Sequence, residues 1–165
     1  MRTMIVITVL VVCTVFAAAQ TKVSGTVSCG KPDQSNSIQV AEKHSFMISQ
    51  QKCSWSKPME FNGAKTKEAV YTSSAEVNGD KANERGFSAE TLDNGDKMEV
   101  RTQSTDMMKD GAPISSDGKW TIVRGTGKAK GLKGGGTFKC SGGPDKLSCE
   151  VEGEYKAAPP PPAKK

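Results

Sequence analysis

The sequence predicts an all-β chain whose antiparallel sheet is closed or nearly closed into a barrel of about eight strands. Three observations carry that expectation. Between Thr21 and Tyr155 no apolar repeat is sustained at helical spacing, while short runs of alternating character recur. Turn signals punctuate the runs at "NGD" (78–80), "DNGD" (93–96), "KDGAP" and "SDGK". One pair of runs, "GGGTFKC" and "KLSCEVEGEY", also folds onto itself with its apolar side chains on a single face. Strands in such numbers leave exposed edges unless the sheet closes, and closure gives the barrel.

The first element is not part of that fold. "MRTMIVITVLVVCTVFAAAQ" carries one positive charge, an uncharged apolar run from Met4 to Phe16, and small residues at its end. This is the layout of a secretory signal peptide over 1–19, with cleavage between Ala19 and Gln20. The apolar run is shorter than the roughly 20 residues that span a bilayer, so no stable membrane insertion is expected. The barrel domain is expected over 20–156, and "AAPPPPAKK" over 157–165 reads as an extended, disordered tail. The mature chain is thus expected to be exported, to a periplasm or to the medium.

Candidate strands follow at 22–29, 43–55, 68–77, 85–92, 97–105, 119–124, 134–140 and 147–155. In "KMEVR", Met98 and Val100 alternate with Lys97, Glu99 and Arg101, and "DNGD" before them supplies the tight turn of a hairpin. The last two strands give a register. If Cys140 faces Cys149, then Phe138 faces Val151 and Gly136 faces Gly153, and the cysteines become cross-strand neighbours able to form a disulfide. Four cysteines remain after signal removal, an even number that suits an oxidising compartment. By elimination Cys29 then pairs with Cys53 across "GKPDQSNSIQVAEK", although Cys53 is out of phase with Phe46 and Ile48 unless a bulge intervenes.

The stretch "KWTIVRGTGKAKGLKGGGTFKC" (119–140) invites a phosphate-loop reading, and fails it. Gly131 and Gly136 have Walker-type spacing, but Thr137 stands where lysine is required. "GTGKAKG" has one residue too many for a dinucleotide turn, and no helix follows either motif. The segment reads instead as strand, irregular crossing and strand, with Lys128, Lys130 and Lys133 on a solvated rim. "KWTIVRGTGKAKGLKGGGTF" resembles the strand–Gly-Thr-Gly–strand signature of the allene oxide cyclase and dirigent-like barrel superfamily. The mature chain is also similar to small secreted bacterial proteins of unknown function that carry "GTGK-x-KG-x-KG-x-GT" and a terminal "EGEY". The resemblance implies a barrel; it places neither the cyclases' catalytic carboxylate nor the dirigent proteins' paired aspartates on this chain.

Chemistry is sparse. His44 is the single histidine, no G-x-S-x-G elbow occurs, and there is no C-x-x-C metal pair. Glu150, Glu152 and Glu154 share the polar parity of their strand and read as outer wall. Setting aside Arg2, Lys156, Lys164 and Lys165, the domain has nineteen basic against eighteen acidic residues, which argues against nucleic acid as a partner. No catalytic, cofactor-binding or metal-ligating residue is expected. The favoured function is therefore a non-catalytic barrel binding a small apolar ligand or an envelope partner, lined by Phe46, Phe87, Trp120 and Phe138. The alternatives are a cyclase- or isomerase-like enzyme that works by shaping its substrate, and a purely structural or interaction protein.

Overall fold

Ten strands make up the structure, a computed structural model that describes residues 20–143 and 145–157. The anticipated signal peptide and nearly all of the anticipated tail lie outside the described residues. The strands are β1 (Thr21–Gly30), β2 (Gln34–Ala41), β3 (His44–Lys57), β4 (Glu60–Phe61), β5 (Ala64–Asn78), β6 (Lys81–Leu92), β7 (Lys97–Lys109), β8 (Ala112–Gly125), β9 (Lys133–Gly143) and β10 (Lys146–Lys156). All pairings are antiparallel. From β1 the sheet passes through β10, β9, β8, β7, β6 and β5 to β3, which pairs back onto β1 and closes an eight-stranded barrel. β4 and β2 are additions to that ring.

The eight expected strands are all present, most of them longer than anticipated. The segment 34–41, expected as polar loop, is β2 instead. β1 meets β3 only as far as Cys29↔Cys53, and β2 continues along the same edge of β3 from Gln34↔Gln50 to Ala41↔His44. The physical reason is backbone satisfaction: the N–H and C=O groups of β3 beyond Cys53 need partners on that edge, and the next stretch of chain supplies them.

The β9–β10 register is the one expected, with Cys140↔Cys149, Phe138↔Val151 and Gly136↔Gly153 as cross-strand pairs. Both disulfides, Cys140–Cys149 and Cys29–Cys53, are formed between directly opposed residues. No bulge is needed for the second. β3 runs in unbroken register against β5 from His44 to Ser54, and Phe46 and Ile48 simply point outward, on the face opposite Cys53.

The barrel has a sealed end and an open one. At the sealed end Phe61, Leu92, Met98, Ala129 and Leu132 are almost wholly buried. The Phe61 and Tyr155 rings meet at 5.1 Å, and the Tyr155 hydroxyl accepts the Asn62 N–H at 2.9 Å. The lysine- and glycine-rich crossing between β8 and β9 belongs to this plug. Its backbone is tied to the β6–β7 turn, where Lys97 N donates to Thr126 Oγ1 and Lys128 N to Asp96 Oδ2. That pins Ala129 and Leu132 across the barrel's end, while Lys128, Lys130 and Lys133 stay exposed. The glycines beyond the crossing serve close approach. A Cβ on Gly136 would fall 1.9 Å from the Glu152 carbonyl oxygen, and one on Gly153 would fall 2.6 Å from the Trp120 ring.

The opposite end carries the β2–β3, β5–β6, β7–β8 and β9–β10 turns. There the β9–β10 hairpin stops short: β9 pairs with β8 only as far as Ser141↔Ser115, and β10 with β1 as far as Lys146↔Gly30. β8 pairs with β7 beyond that point, from Met108↔Pro113 to Lys109↔Ala112.

Candidate ligand chamber

Within the barrel lies a cavity of about 460 Å³ that opens toward the turn end, where Lys31, Pro32, Ser35, Gly111 and Pro113 form part of its rim. The side chains that reach it follow from strand parity. On β3 the parity of Cys53 turns Met47, Ser49, Gln51 and Trp55 inward. On β6 the buried Leu92 and Ala82 set the inward parity, which carries Glu84, Ser88 and Glu90 with it. On β7 the buried Val100 and Met108 bring Thr102 and Asp106 inward.

Three carboxyl groups consequently sit on the chamber wall. Each is met by neutral donors. Tyr71 donates to Glu84 Oε1 at 2.7 Å and Ser73 to Glu84 Oε2 at 2.9 Å. Ser88 donates to Glu90 Oε1 at 2.6 Å, and the Trp55 indole reaches across from β3 to donate to Glu90 Oε2 at 2.8 Å. Ser116 donates to Asp106 Oδ1. Thr102 completes the upper group, 2.9 Å from the Tyr71 hydroxyl.

Burial lifts all three carboxyls above their ordinary range, because the charged form loses its hydration. For Glu84 the negative charge of Asp106 adds to that lift, while the bonds from Tyr71 and Ser73 oppose it. For Glu90 the Ser88 and Trp55 donors work against burial. The Tyr71 phenol is raised too, by burial first and by the Glu84 charge second. Lys31 is the sole basic residue among the described lining residues, and at the rim it pairs with Asp145 at 2.6 Å.

Of the four aromatics expected to line the interior, the structure places Trp120 and Phe138 on the chamber wall. Phe46 and Phe87 stand on the outer face, 47% and 46% exposed. Phe87 lies under the Arg101 guanidinium at 5.5 Å, and Phe46 lies beside His44, which bonds Glu76 at 2.9 Å. The correction has a plain cause: strand parity is fixed by the best-buried residues of each strand, and these two aromatics have the other parity. Glu150 is exposed on the outer wall, as expected. Glu84, Glu90, Asp106, Tyr71 and Trp55 were not anticipated as wall residues. The signal was nevertheless there, since Leu92 in "NERGFSAETL" shares parity with Glu84 and Glu90.

Fold and site together define an eight-stranded antiparallel barrel with two disulfides and a mainly apolar chamber that carries three carboxyls on one wall. No protein-family model matches the chain, and the search of curated proteins found no match. Among solved structures, the chain is similar to a protein of unknown function from the DUF3224 family of Shewanella oneidensis MR-1. The two share 16% identity at a TM-score of 0.48, over 85% of this chain and 100% of the other. None of these comparisons points to the cyclase and dirigent-like superfamily; what stands of that resemblance is the barrel.

Proposed function

We propose that the protein is an exported, disulfide-stabilised barrel that binds one small molecule in its chamber. The observation that carries the reading is the cavity itself: about 460 Å³, open at one end, walled by Met47, Met108, Trp120 and Phe138 on apolar stretches and by a few polar groups elsewhere. Concave, largely apolar pockets with a small number of placed polar groups are the usual form of small-molecule sites. Export is supported by the two intramolecular disulfides, which suit an oxidising compartment. Among the described residues no helix is long and apolar enough to cross a membrane.

The test is native mass spectrometry of protein recovered from its own exported fraction, beside an Ala75→Trp variant that fills the chamber. The expected result is a stoichiometric small-molecule adduct on the wild type that the filled variant lacks. An adduct that persists in the filled variant, or a wild type that carries none, overturns the reading.

One observation favours a second reading, an isomerase that acts by shaping its substrate. Glu84 is a carboxyl raised above its ordinary range by burial and bonded to Tyr71 at the chamber wall, the kind of perturbed group that acid–base chemistry uses. Incubation of the recovered guest with protein in D₂O distinguishes the two. Deuterium incorporated by the wild type and not by Glu84→Gln supports catalysis; a guest returned unlabelled supports binding alone.

A further inference from the structure

Two carboxyls meet in the upper part of the chamber, where the one basic side chain among the described lining residues, Lys31, is paired with Asp145. Asp106 is 4% exposed and accepts a hydrogen bond from Ser116 on Oδ1. Two residues along the same face of β7, the Ser104 hydroxyl also favours the Asp106 charge. Ser104 is paired across the sheet with Glu84, so Asp106 lies on the diagonal from Glu84. Tyr71 and Ser73, on β5, complete the group. Two carboxyl groups thus meet beside an apolar cluster of Ala82, Met108, Met47 and Ala75.

We propose that the chamber's guest bears a positively charged nitrogen, an organic ammonium on an apolar body, seated between Glu84 and Asp106. The proposal rests on the reading that the barrel holds a small molecule, and names its class. A buried carboxylate is costly until a countercharge arrives, and among the described lining residues the one basic side chain is Lys31, already paired at the rim. A metal ion is a poor match, because among the described residues no three carboxylate, histidine or cysteine groups converge closely enough to hold one. Glu90 is six residues from Glu84 along β6, about 20 Å at strand rise, too far to share one ammonium with the upper pair. The ammonium belongs to the upper pair. Its charge would lie between the Asp106 and Glu84 carboxylates, with the Tyr71 ring as a further partner, and its apolar body would lie against the methionines.

Three probes of one shape test this: octylamine, 1-octanol and octanoate, each titrated at neutral pH against the fluorescence of Trp55 and Trp120 and by calorimetry. Octylammonium is expected to bind about tenfold or more tighter than octanol, with octanoate silent. Asp106→Asn and Glu84→Gln are each expected to erase most of that preference, whereas Glu150→Gln on the outer wall leaves it unchanged. The wild-type ranking stands as a test even if a chamber variant fails to fold. Octanol binding as tightly as octylammonium, or octanoate binding at all, overturns the charge assignment and leaves the chamber reading in place. Silence from all three, with no adduct in native mass spectrometry, overturns both.

Discussion

The barrel has two unlike walls. The wall made by β9, β10, β1 and β3 holds both disulfides, and its inner face is mainly apolar, with Val27, Phe138, Leu147 and Val151. The wall made by β5 to β8 has no covalent tie, and its inner face carries Tyr71, Ser73, Glu84, Ser88, Glu90, Thr102, Asp106 and Ser116. Trp55 joins them, standing on the first wall and bonding Glu90 on the second. The difference teaches that stability and chemistry are assigned to separate halves. A wall that buries three carboxyls spends folding free energy, and covalent closure of the other wall offsets it.

The largest expected effects come from the covalent wall. By loop entropy the Cys29–Cys53 bridge, closing a separation of 24 residues, stabilises by about 3.5 kcal/mol, and Cys140–Cys149, closing 9, by about 2.7 kcal/mol. Alanine pairs at each site, compared by urea denaturation, should lose stability in that order; equal losses would show that chain entropy is not what the bridges supply. Next comes close packing on the same wall. Gly153→Ala presses a methyl against the Gly135 carbonyl oxygen and the Trp120 ring and is expected to cost about 1–3 kcal/mol. Gly30→Ala, which meets nothing within 4 Å, serves as its control in the same melts.

The carboxyl wall should reveal itself through pH. Glu84, Glu90 and Asp106 are raised in the folded chain. From the ordinary carboxylate range near about 4 up to their raised values, the folded state therefore binds more protons than the unfolded chain. Their contribution to stability is full on the acid side and is lost as pH rises through that window. Thermal melts across it should show a falling midpoint, flattened in Glu84→Gln and Glu90→Gln; a slope that the variants leave untouched would detach it from this wall. The smallest effect belongs outside. Phe46→Ser removes a side chain from the outer face and should shift stability by no more than about 0.5 kcal/mol, with unaltered binding of any chamber probe, whereas Phe138→Ala should weaken that binding.

Much of this was legible in the residues, and the limit was consistent. The β9–β10 register could be read because cysteine, phenylalanine and valine share one parity there, so hydrophobicity and geometry agree. On β3 and β6 they disagree. Phe46, Ile48 and Phe87 occupy the outer parity, while Ser49, Gln51, Glu84 and Glu90 occupy the inner one. A reading that sends aromatics inward and carboxylates outward must fail on a barrel that is hollow and polar on one side. Cys53 and Leu92, the best-buried anchors of those strands, set the phase correctly and would have exposed the chamber wall.

β2 ends the sheet with an edge that no strand among the described residues covers, and all eight of its residues are exposed. "QSNSIQVA" contains no charge, and the usual guards, Pro32 and Lys43, lie just outside it. This edge is therefore where self-association of concentrated protein is expected to begin, far from the sealed plug. Ile38→Lys is expected to suppress it, as light scattering of concentrated samples would show.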